Sequence, residues 1–147
     1  MGTLLDVLHV VTAVFIVGPM AILPMTGMRA LRAGERGQVA TLAQSTYIFS
    51  LLSLLVVVFG FGALGSSDKQ AHLSFTTSWI MSAFIVYLVA LVLSLFVVVP
   101  AMRRAGENPH DAVAGELAAG SYQRIAIGSG LVSLLMVVVV VLMVWQP

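Results

Sequence analysis

Residues 8–28 read LHVVTAVFIVGPMAILPMTGM, and residues 29–36 follow as RALRAGER. About twenty apolar residues in a row are enough to cross ~30 Å of hydrocarbon at ~1.5 Å per residue. The basic run comes after the apolar stretch. A secretory signal has the opposite order, with its positive region first. Before His9 the only charge is Asp6. The first segment therefore reads as a retained membrane anchor.

Three more apolar segments follow, so that the four cover roughly Leu4–Met28, Leu42–Leu64, Phe75–Ala101 and Ile125–Trp145. Lipid offers no partner for open backbone groups, so spans of this length are helices. The expected fold is all-α: a polytopic membrane protein forming one four-helix transmembrane bundle over residues 1–147. Composition agrees, with 60% hydrophobic and 9% charged residues where a soluble domain carries about 25% charged. A net charge of +1 gives no field to attract nucleic acid. The absence of cysteine excludes disulfides, thiolate metal sites and cysteine nucleophiles.

Basic residues set the expected orientation. Arg29, Arg32 and Arg36 lie after the first segment, and Arg103, Arg104 and Arg124 lie between the third and fourth. Only Lys69 falls in the second connection. Loops 29–41 and 102–124 are expected in the cytoplasm, with both termini outside. Trp79 and Trp145 are expected at the outer interface, where indoles concentrate. Gly34 and Gly37 are expected to break the first loop. Asp111–Tyr122 is expected as a short amphipathic surface helix in the third. Pro19 and Pro24 are expected to bend the first helix. Each half of the chain is a pair of helices, but no residue-level match supports an internal repeat.

Stripes of small residues mark the expected inner faces. They are Thr46, Ser50, Ser53, Val57 and Gly60 on the second helix, Ala83, Tyr87, Ala90 and Ser94 on the third, and Ala126, Gly130 and Ser133 on the fourth.

Chemistry has few candidates. His9 lies one to two turns into the first helix. It fits an axial haem ligand, a copper ligand, a proton-handling group or a polar packing residue. Asp6, three residues earlier, shares its helical face and is suited to orienting the imidazole; equally, it suits a helix-start dipole. His72, on the same outer side, is a candidate second ligand. Met20, Met25, Met28, Met81, Met136 and Met143 offer thioethers that suit Cu(I) but equally fill apolar gaps. No metal site is assigned, and no catalytic residue emerges.

The opening Leu8-His9-Val10, the mid-helix Gly18-Pro19, Arg124-Ile125 and the closing LMVWQP of residues 142–147 resemble an uncharacterised family of small four-helix bacterial integral membrane proteins. That group is distantly similar to the CopD copper-resistance membrane domain and to the small four-helix protoporphyrinogen oxidases. The resemblance implies a bacterial plasma membrane. It also implies a functional role for the first-helix histidine, here His9. Gln146 stands where the oxidases carry a lysine.

Three function classes follow. The first is an accessory, assembly or partner-binding subunit of a membrane complex, such as a respiratory one, with a membrane-protein partner or a second copy. The second is a haem- or porphyrin-binding protein using His9. The third is a small transporter or copper permease.

Overall fold

The computed structural model describes residues 2–66, 77–107 and 114–145. Among them the chain is helical and has no strand. Helix α1 (Gly2–Thr12) passes through a π-helical turn at Ala13–Val17 into α2 (Gly18–Arg32). Helix α3 spans Arg36–Ser66. Helix α4 (Ser78–Leu93) passes through a second π turn at Ser94–Val98 into α5 (Val99–Glu107). Helix α6 runs from Ala114 to Trp145. Four helical stretches are long and apolar enough to cross a membrane: Thr3–Arg32, Arg36–Ser66, Ser78–Glu107 and Tyr122–Trp145.

Each π turn lies just ahead of a proline, whereas Pro24, inside α2, has none before it. A proline ring collides with the carbonyl four residues earlier and supplies no N–H to it. For Pro19 that carbonyl belongs to Phe15, and for Pro100 to Phe96; both lie inside the π turns. Widening the turn moves the carbonyl off the ring without ending the helix. The local sequence is Phe-x-Val-x-Pro at 15–19 and again at 96–100. This is a residue-level likeness between the halves that a search by apolar segment passes over.

The helices run beyond the expected segments at the basic end. The first turn is short because Gly34 adopts φ +77°, a left-handed conformation suited to glycine. The Glu35 N–H then reaches the Ala30 carbonyl at 2.9 Å, and the Gly34 N–H reaches Leu31 at 3.1 Å. This paired closure satisfies the last carbonyls of α2. Gly37, expected as a breaker, is helical. A separate amphipathic helix at Asp111–Tyr122 is also corrected: Ala114–Tyr122 forms the first turns of α6, continuous with the fourth span. Residues 111–113 lie outside the described residues, as does the second connection from 67 to 76.

The spans form a closed ring, each packed on the next and the first also on the fourth. Met20, Val39, Ala43, Val98, Met102, Ile125 and Val132 fill the core. Thr46, Ser50 and Ser53 on α3 are buried against Ala83, Tyr87, Ala90 and Ser94. Their hydroxyls bond one another, Ser50 to Ser94 at 2.8 Å and Ser53 to Tyr87 at 2.7 Å. Above them Phe61 and Phe84 meet with ring centroids 5.4 Å apart. Of the stripe expected on the fourth helix, Ser133 meets the first span, donating to the Ala21 carbonyl at 3.3 Å, and Ala126 is half-buried, but most of the buried face lies one position away. Ile125, Gly128, Ser129, Val132 and Met136 are buried, and Gly130 is exposed. Gly128 sets this face, because a Cβ there would come within 2.9 Å of Val98 Cγ2.

All six arginines cluster at one end of the ring. Arg32 donates to the Tyr122 hydroxyl and lies over its ring, linking the first and fourth spans. Arg103 sits 5.1 Å over the Tyr47 ring and donates to Gln44 at 3.4 Å, linking the third and second. Such cation–π contacts are each worth about 0.5–1 kcal/mol where exposed. At the opposite end Trp145 is exposed. Trp79, at the start of α4 and so at that same end, is 9% exposed and turned into the packing.

Candidate functional site

The site grows from one contact between α1 and α3. The His9 ring projects from α1 onto the second span, where Gly60 leaves a notch. A Cβ at Gly60 would lie 2.8 Å from the imidazole Cε1 and 3.0 Å from Nδ1. Only glycine lets the ring lie this close to the α3 backbone. Within that notch Nδ1 donates to the Val56 carbonyl at 2.7 Å. Val56 lies four residues before Gly60, so the same carbonyl also closes the helical turn at Gly60. It thus serves two donors, which its two lone pairs allow.

A carbonyl can only accept, so the proton resides on Nδ1 in this contact. Nε2 makes no hydrogen bond among the described residues, and no buried unbonded side-chain nitrogen or oxygen occurs among them. The second ring nitrogen is therefore accessible, with a lone pair in the neutral form. Thr12, one turn on, donates its hydroxyl to the Leu8 carbonyl at 2.6 Å. This back-bonding keeps the threonine from competing for the imidazole.

The three sequence candidates are not gathered equally. His9 is half-buried between two helices. Asp6 is exposed and makes no hydrogen bond to His9 among the described residues. His72 lies outside the described residues. No group of three or more metal-ligating His, Asp or Glu side chains occurs among those described. The methionines divide: Met20 and Met136 are core residues, while Met25, Met81 and Met143 face outward. Sequence reading missed the role of Val56, since a backbone carbonyl leaves no residue-type signature. Gly60 was visible as a small residue on the inner stripe, but not as the seat of a ring.

This arrangement can do what an anchored imidazole does. One nitrogen is held by the protein, and the other makes no hydrogen bond among the described residues. Fold and site together define a small four-span helical integral membrane protein. The chain belongs to the family described as predicted integral membrane protein (DUF2269), whose model matches residues 3–147. No curated protein and no solved structure matches the chain.

Proposed function

We propose that this membrane protein presents the His9 imidazole as an axial ligand to a haem or related metalloporphyrin, as a subunit of a larger membrane assembly. One observation carries the reading: the 2.7 Å bond from Nδ1 to the Val56 carbonyl, seated by Gly60, leaves Nε2 accessible. Histidines that ligate metals regularly donate their other N–H to a carbonyl or carboxylate, which fixes tautomer and ring angle. The donor set supplies one imidazole; a second His9 from another copy, or His72, would supply a further ligand. A bound haem would supply redox or ligand-binding chemistry; His9 holds it, and Val56 and Gly60 hold His9.

The orientation belongs to this proposal. The gathering of six of the seven basic residues in the first and third connections supports a cytoplasmic location for that end, with His9 toward the outer face. The family resemblance supports a bacterial plasma membrane as its location.

A second reading is an accessory or assembly subunit without a cofactor. It is favoured by the first span, whose most apolar window is 11% buried, against 39% for the third. That leaves most of the first helix free to meet a partner helix. An absorption spectrum separates the two. Detergent-purified protein, before and after titration with haemin, is compared with His9→Ala, and circular dichroism verifies folding. A Soret band in wild type that is lost in the variant supports ligation. Folded wild type that takes up no haemin refutes it and leaves the accessory reading.

A further inference from the structure

A second site lies at the arginine end, on the outside of the ring. Between the third and fourth spans is a groove of about 410 Å³ lined by Phe96, Val97, Pro100, Ala101, Arg104 and Arg124. Its origin is local. Gly128 draws the fourth helix against Val98 and Val97, with a Cβ there falling 2.9 and 3.6 Å from their side chains. Toward the basic end the groove opens beside Pro100, which follows the π turn. The groove is amphipathic along its length. Phe96, 74% exposed, stands at the apolar end, and the two arginines stand at the other. Eight residues of helix separate Phe96 from Arg104, about 12 Å of rise.

The arginines of this end are not equivalent. Arg32 and Arg103 are engaged with Tyr122 and with Tyr47 and Gln44. Arg104 and Arg124 have no hydrogen bond or ion pair among the described residues. Two guanidinium groups converge on a groove whose remaining walls are apolar and face the bilayer. Their complement is one phosphate joined to a hydrocarbon chain.

We propose that this groove binds an anionic phospholipid, with its phosphate between Arg104 and Arg124 and an acyl chain along Phe96, Val97 and Pro100. Paired arginines match phosphate oxygens by forked hydrogen bonds, and basic sites between transmembrane helices hold acidic headgroups in this manner. The site is independent of His9 and lies at the other end of the bundle.

The test is native mass spectrometry of the full chain in mild detergent, titrated with phosphatidylglycerol and, separately, with phosphatidylcholine. Wild type is expected to retain one phosphatidylglycerol in preference to phosphatidylcholine. Arg104→Gln and Arg124→Gln should each weaken retention about fivefold, and Arg29→Gln with Arg36→Gln should leave it unchanged. Inorganic phosphate in large excess should not displace the lipid. Equal loss in the Arg29/Arg36 control, equal retention of phosphatidylcholine, or displacement by phosphate would each overturn the proposal. Phe96→Ala, at an exposed position that leaves packing intact, should weaken retention of the lipid without altering the arginines. Its failure to do so would also overturn the proposed seat.

Discussion

Replacing Gly60 by alanine tests the His9 seat directly, because the clash it creates depends on the imidazole. The new Cβ would fall 2.8 Å from Cε1 and 3.0 Å from Nδ1, well inside van der Waals contact. The ring cannot stay, and the 2.7 Å bond to Val56 goes with it. Forcing a methyl into packed space costs about 1–3 kcal/mol. Losing the hydrogen bond costs about 1 kcal/mol more. Against this, alanine in a helix interior gains about 1 kcal/mol over glycine. The net expectation is a destabilisation of about 1–3 kcal/mol in the wild-type background. In a His9→Ala background neither cost applies, so Gly60→Ala should stabilise by up to about 1 kcal/mol. The double-mutant cycle therefore predicts a coupling of about 2–4 kcal/mol. Reversible unfolding in mixed micelles measures it. The same four proteins, titrated with haemin, show whether the notch and the Soret band are lost together. A coupling below about 0.5 kcal/mol would refute the seat, because the two positions would then be acting independently.

The interior hydroxyls and the first turn give further expectations. Ser50→Ala should cost about 0.6 kcal/mol, and at most ~1.7, by leaving the Ser94 hydroxyl without its buried partner at 2.8 Å. Ser50→Ala with Ser94→Ala should recover part of that loss, and equal, additive costs in chemical unfolding would refute the pairing. Gly34→Ala, at φ +77°, should cost about 1–2 kcal/mol. A thermal midpoint unchanged from wild type would show that the first turn does not require the left-handed residue.

Part of this protein is legible from composition. Length and apolarity are local properties, so the four spans and the common end of the arginines follow from the residues themselves. His9 was singled out on the same basis, as a polar group in an apolar run. The inner stripes of the second and third spans were also visible, because small residues recur there at helical spacing. On the fourth span the expected stripe holds at Ser133, which bonds the Ala21 carbonyl, and fails at Gly130, which is exposed. Its glycines at 128 and 130 and its serines at 129 and 133 fit two adjoining faces, and only the contact with Val98 selects between them.

What tertiary structure alone decided are the partners. Val56 is 47 residues from His9, and Tyr122 is 90 from Arg32; neither separation leaves a periodic trace in the chain. The burial of Trp79 was likewise decided by neighbours rather than by local preference. Hydropathy places a residue at a depth in the bilayer, but it does not say which helix stands beside it. The direction in which a side chain finds its bond depends on how the ring of helices closes, and that closure is set by packing between segments far apart in sequence.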